Sequence, residues 1–270
     1  MKTAATAFRT VSARKIIKLI LPKEHGSWSL ALEPVMLGLL VAPSAAGSAL
    51  AVAALAGFFL RRPLKSLFCE PSAAHRQWMI FCVVVLIIVA IAGLWAAAKF
   101  VGAENLWPLI PAALAGLAFA WFDSRNEARA EAAELAGAIA FGILPAAFGA
   151  LAGWSAMASV ALALVMLVRS VPTVMFVRTY MRLKKGRTTT RVPALIAAGA
   201  GLLLTIALVL TRLAPWAAAM FAFLIAVLTF GLLGDHRPRL AAKTVGLIEM
   251  TLGATMVLTL AVAWKFFQQQ

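Results

Sequence analysis

Four ionisable side chains stand inside apolar stretches of this sequence: Glu33, Glu134, Arg169 and Glu249. A charge near the middle of a membrane helix costs about 2.5–3.5 kcal/mol on insertion scales, so such groups tend to face a bundle interior and pair there. Carboxylates in that setting can exchange protons, and a guanidinium can hold a phosphate or carboxylate. Spacing adds detail. His25, Ser29 and Glu33 are four apart and line one face of a helix. Pro34 follows at once and, having no N–H, deprives the Leu30 carbonyl of its partner; Pro172 does the same to Val168, beside Arg169. His25 and Glu33 are therefore the candidates for a general base. The head of an anionic substrate would rest on Arg61, Arg62, Arg178 and Arg182, and Lys23, Glu134, Arg169 and Glu249 complete the substrate-binding set.

Depth argues that these groups belong together. Glu33 lies about 9 Å into its apolar segment, Glu249 about 9 Å past Lys243, and Arg169 about 13 Å before Arg178, at 1.5 Å per residue. Glu249 shares a helical face with Gly246 and Gly253, and small residues let a neighbouring helix come close. The expectation is one polar, basic cavity open to the cytoplasm, with Arg169 facing one or more of the glutamates. Other readings stand beside it. An Arg169–Glu33 or Arg169–Glu249 pair can be a structural bond that locks the bundle. Asp123, Glu127 and Glu131 alternate with Arg125 and Arg129, the pattern of a solvated helical face. Glu127, Glu131 and Glu134 share a face that runs from loop into helix. The run RTYMRLKKGRTTTR serves topology and anionic-lipid contact as readily as ligand capture.

The elements that would position these groups are membrane helices. Of 270 residues, 63% are hydrophobic and 13% charged, well beyond the balance of a soluble domain. Nine apolar segments can be drawn, at 27–42, 47–60 (extending towards Phe68), 78–98, 106–122, 133–152, 155–177, 192–211, 216–233 and 244–264. Most approach the roughly 20 residues that span hydrocarbon. The short alternating segments of a β-barrel are missing. The fold class is all-α, a polytopic bundle of about nine transmembrane helices in a single domain over 27–264. A basic arm (1–26) precedes it, suited to anionic headgroups, and a short outer tail (265–270) follows.

The net charge of +15 would suggest nucleic acid in a soluble protein, but its placement decides otherwise. With the N-terminus in the cytoplasm, 21 Lys and Arg fall on the inner side and only Lys99, Arg212 and Lys265 outside. That asymmetry supports this orientation and an odd number of spans. The expected location is a bacterial inner membrane, without a nucleic-acid partner. The eight tryptophans fall at segment ends, as interfacial belts do. Cys69 and Cys82 are the only cysteines, with no spacing to histidine that suggests metal or a disulfide framework. The residues call for no cofactor.

Several stretches carry a resemblance. PKEHGSW, the FFLRRPL that ends the second segment, ELAGAIAF, RTYMRLKKGR and the closing KTVGLIE resemble the YwiC-like integral membrane family, over roughly residues 20–255. That resemblance implies a membrane fold and no particular reaction. A more distant likeness is to UbiA-type intramembrane prenyltransferases, which implies nine helices, a cytoplasmic N-terminus and a cavity open to the cytoplasm. Their aspartate-rich loops bind Mg²⁺ and a diphosphate. Here the corresponding loops read RRPLKSLFCEPSAAHRQ and RTYMRLKKGRTTT, with one acid, Glu70, between them. No acids at i, i+4 are there to chelate Mg²⁺, so Mg²⁺-dependent prenyl transfer is disfavoured. The functional expectation is binding or modification of a lipid-like isoprenoid or phospholipid substrate with an anionic head. A small proton-coupled transporter, with Glu33, Glu249 and Arg169 as its relay, and a non-catalytic membrane assembly protein are the alternatives.

Overall fold

In hydrocarbon a backbone must satisfy its own N–H and C=O groups, which a helix does within one segment. The computed structural model describes residues 25–69, 73–234 and 240–267, and every regular element in them is helical. In chain order these are α1 (His25–Val41), α2 (Ala45–Cys69), α3 (Ala73–Val101), a 3₁₀ turn (Ala103–Leu106), α4 (Leu109–Ser124), α5 (Glu131–Gly142), α6 (Leu144–Leu151), α7 (Ala156–Lys184), α8 (Val192–Leu210), α9 (Trp216–Leu233) and α10 (Ala242–Phe267). All nine expected segments are helical, with α5 and α6 together forming the fifth. Seven are long and apolar enough to cross a membrane; Trp28–Val41 and Leu109–Ser124 are apolar but shorter. The chain is a polytopic helical membrane bundle.

Proline accounts for one departure from the expected segments. The stretch 133–152 is not one helix: α5 ends at Gly142, Ile143 forms a turn, and α6 begins with Pro145 in its first turn. Pro145 lacks the N–H that would bond the Phe141 carbonyl, and the break falls across this missing bond. All eight residues of α6 are buried. Pro34 and Pro172 lie within the continuous helices α1 and α7. Each removes one hydrogen bond without ending its helix.

Two helices are central. α1 packs against α10, α6, α2 and α5, and α7 against α8, α6, α5, α9 and α10. One core cluster joins Leu37 of α1, Leu162 and Met166 of α7, Phe221 of α9, and Met256 and Leu260 of α10. A second sets Val35 of α1 and Leu50 of α2 against Phe148 and Leu151 of α6. Phe148 is fully buried, and its ring lies so close to Gly38 of α1 that a Cβ there would overlap it. By contrast α3 packs chiefly on α2, and residues such as Phe81, Ile88, Ile91 and Trp95 on it are exposed, as suits a lipid-facing helix.

The up-and-down course collects basic residues at one end of the bundle. There the ends of α2, α4 and α7 meet the start of α5 and the segment before α10. Lys184 Nζ donates to the Leu240 carbonyl at 2.7 Å, and the Leu240 N–H donates to Tyr180 Oη at 2.8 Å. At the opposite end Trp154 stacks on Trp264 with ring centroids 6.1 Å apart. Trp264 is 2% exposed, so it serves packing and not the interfacial belt expected of it.

The fit of Phe148 against α1 yields a test. Gly38→Ala adds a methyl group where the ring cannot retreat and is expected to cost about 1–3 kcal/mol. It would be read as a lower melting temperature in detergent.

Candidate functional site: an acid–arginine–acid centre

The centre is built from one residue on each of α1, α7 and α10. Arg169 is 3% exposed and lies between Glu33 and Glu249, whose side chains are 11% and 12% exposed. Its Nη1 donates to Glu249 Oε2 at 2.7 Å and its Nη2 to the Glu249 backbone carbonyl at 2.7 Å. Nη1 also donates to Thr173 Oγ1, one turn along α7. The Thr173 hydroxyl in turn donates to Glu249 Oε2 at 3.3 Å. The guanidinium thus grips Glu249 by side chain and backbone together. Its remaining nitrogen, Nε, is 3.5 Å from Glu33 Oε2, an ion-pair distance, and has no hydrogen-bond partner. Glu33 Oε1 accepts from the Ser29 hydroxyl, one helical turn earlier on the same face.

The sequence positions these groups by helical spacing. Arg169 and Thr173 are i, i+4 on α7, as are Ser29 and Glu33 on α1 and Glu249 and Gly253 on α10. Gly253 matters because a Cβ at that position would overlap the Glu33 carboxylate. The absent side chain is what lets α10 close on α1 where Glu33 stands. The small-residue face expected beside Glu249 is therefore used, and the neighbour it admits is Glu33.

The other predicted site residues fall elsewhere. Glu134 does not join the centre. It lies at the basic end, where Arg178 Nη1 donates to its Oε2 and to the Arg129 carbonyl, both at 2.8 Å. Glu131 is 3.5 Å from Arg178 Nε and 3.9 Å from Arg182 Nη1, so α5 and α7 are tied together there. Arg61 Nε donates to Asp123 Oδ2 at 3.0 Å, and Lys65 Nζ to Oδ1 at 2.7 Å. Arg62 lies at the same end of α2 and is half-buried. Lys23 lies outside the described residues, and so does the side chain of His25, whose backbone begins α1.

Two expectations about acids change. Asp123 is 8% exposed; it bridges α4 to α2 and is not part of a solvated face. Glu127 shares no helix with Glu131 and Glu134, because Asn126 takes a left-handed backbone (φ 60°) and α5 starts only at Glu131. Sequence reasoning missed Lys65, Asp123 and Thr173 as partners. The available signal was their i, i+4 relation to Arg61 and Arg169 for Lys65 and Thr173. Asp123 had none, since its partners are about sixty residues away.

Among known families, the one described as YwiC-like protein has a model that matches residues 21–146. No curated protein and no solved structure matches the chain. The protein is thus a multi-pass α-helical membrane protein, and over residues 21–146 it is similar to the YwiC-like family, as PKEHGSW, FFLRRPL and ELAGAIAF implied. The matched stretch holds Glu33, Arg61, Asp123 and Glu134 and ends within α6, before Arg169 and Glu249.

The geometry ranks the ion pairs. Removing one partner of a buried pair strands a charge and costs about 3–5 kcal/mol, whereas an exposed pair contributes about 0.2–1 kcal/mol. Arg169→Gln should therefore lower the melting temperature far more than Arg182→Gln, whose contact to Glu131 is long and exposed. Side-by-side thermal denaturation of the two variants in one detergent checks this order.

Proposed function

We propose that the protein binds an amphipathic anionic ligand at the basic end of its bundle. The head would sit on Arg61 and Lys65, with the apolar chain against the aromatic wall below. The observation that carries this reading is the convergence of two cations on one acid. Arg61 and Lys65 both bond Asp123, so the cluster keeps one positive charge. Their side chains are 34% and 36% exposed, while that of Asp123 is 9% exposed. The acid is thus spent within the protein, and the cations still reach outward. A phosphate or carboxylate would complete the charge balance with charge-assisted hydrogen bonds.

An apolar surface adjoins this charge. The Arg61 guanidinium lies 4.6 Å from the Phe119 ring centroid. Trp28, Phe58, Phe59 and Phe141 form a continuous set of ring contacts across α1, α2 and α5, at centroid distances of 5.4–5.9 Å. Such rings suit an isoprenoid or acyl chain. Arg169 contributes less to anion capture than the sequence suggested, since Glu33 and Glu249 enclose it; Arg178 is likewise held by Glu131 and Glu134. The distribution of Lys and Arg supports a bacterial plasma membrane with this basic end in the cytoplasm, where anionic lipid heads would surround it.

Native mass spectrometry of the purified protein titrated with farnesyl phosphate, phosphatidylglycerol and uncharged farnesol tests the assignment. One or both anionic amphiphiles should bind and farnesol should not. The paired substitution Arg61→Gln with Lys65→Gln should weaken that binding about tenfold or more, the value of losing one charged hydrogen bond. Equal binding by wild type and the double variant would reject the site.

A further inference from the structure

The acid–arginine–acid centre does not balance. Glu33 and Glu249 bring two negative charges and Arg169 one positive charge into a setting where all three side chains are nearly enclosed. No other charged group faces them among the described residues of the helices packed on α1. On α10 the remaining cations are Lys243, exposed at the start of the helix, and Lys265 at its far end. On α2, Arg61 and Lys65 are bonded to Asp123 at the basic end, and Arg62 lies at that same end. On α5, Glu131 and Glu134 face Arg178. α6 carries no ionisable residue. A surplus charge in such a place is expensive unless it is neutralised.

The hydrogen bonds are unequal, and the inequality says where neutralisation falls. Glu249 receives Nη1 at 2.7 Å and the Thr173 hydroxyl at 3.3 Å, and its own carbonyl takes Nη2 at 2.7 Å. Those are the contacts of an ionised acid. Glu33 receives no hydrogen bond from the guanidinium: the buried Nε points at it from 3.5 Å and is left without a partner. The other polar contact of Glu33 is the Ser29 hydroxyl, which can accept a hydrogen bond as readily as it donates one.

We infer that Glu33 is a proton-binding site, neutral in the structure described here, and that Glu249 is the permanent counter-ion of Arg169. The step is a simple dissociation. The O–H bond of the Glu33 carboxyl breaks, the proton leaves to water, and the electron pair stays on the carboxylate. That new charge then faces the one nitrogen of Arg169 without a hydrogen-bond partner, Nε, and draws α1 and α7 together. Protonation releases the contact. Proton occupancy is thereby converted into the spacing of the two central helices. The inference stands independently of the ligand site at Arg61 and Lys65.

Infrared difference spectroscopy on the full-length protein in phosphatidylcholine nanodiscs, with ¹³C-labelled glutamate, tests it. Wild type should show the carbonyl stretch of a protonated glutamic acid at neutral pH, fading as the pH is raised. The band should be lost in Glu33→Gln, an isostere of the neutral acid, whose melting temperature should match wild type at neutral pH and no longer vary over the same pH range. Glu249→Gln should also lose the band, because Glu33 then becomes the sole counter-ion, and should melt below Glu33→Gln. Glu33→Asp should move the signal out of the glutamate-labelled set, an assignment that does not depend on the Gln variant folding. A wild type without the band at neutral pH, or a band that persists in Glu33→Gln, would overturn the inference. Loss of the band on adding Na⁺ but not K⁺ would overturn it too, in favour of a metal-cation site.

Discussion

A guanidinium placed among hydrocarbon side chains has to be met by acid, and that requirement organises this bundle. Arg169 sits on α7 far from either end, so its partners must come from neighbouring helices. They come from the first and the last of the described helices. Once Glu33 and Glu249 both reach the same side chain, α1, α7 and α10 must converge, and the side that α10 turns to α1 must be narrow. Gly253 supplies that narrowness. A buried ion pair need not stabilise a fold beyond what apolar residues would. Its effect here is on arrangement: other pairings of the helices would leave the charge unanswered.

The second polar system is of a different kind. At the basic end long side chains bridge gaps that the helices do not close, as Arg61 and Lys65 do in reaching Asp123, and Arg178 in reaching Glu134. These contacts are partly open to water, and salt screens them as it does other exposed pairs. The two systems therefore differ in the medium each works in. The inner centre is set by the low polarity around it and the basic end by solution conditions. Beyond the centre, packed Leu37, Met166, Met256 and Leu260 lead towards the stacked Trp154 and Trp264.

Much of this architecture is legible in the chain. Helix number, the pairing of Arg169 with glutamates, and the close approach beside Glu249 all follow from hydropathy, depth and i, i+4 spacing. These are local properties, and a helix carries them unchanged into the bundle. What resists reading is long-range. Nothing near Asp123 marks its bond to α2, and its alternation with arginines imitates a surface helix. The halves of the fifth span read as one apolar run because Pro145 alone marks the break, while Pro34 and Pro172, which look equally disruptive, are absorbed. Trp264 looks like a belt residue because belt and core tryptophans occur at the same helix ends. Glu134 reads as one of the deep acids from its place in an apolar segment, although it lies in the first turn of α5.

The order of these helices along the chain has a consequence in time. Arg169 follows Glu33 by 136 residues, and Glu249 comes 80 residues later still. At roughly 5–20 residues per second of synthesis, α1 waits about 7–27 s for its guanidinium. Throughout that interval Glu33 is in a nascent helix with no cation opposite it, and an acid in lipid is least costly in its neutral form. Glu249, by contrast, emerges when Arg169 is already in place. The two acids of one centre thus have different histories: one is made long before the guanidinium, and the other is made after it.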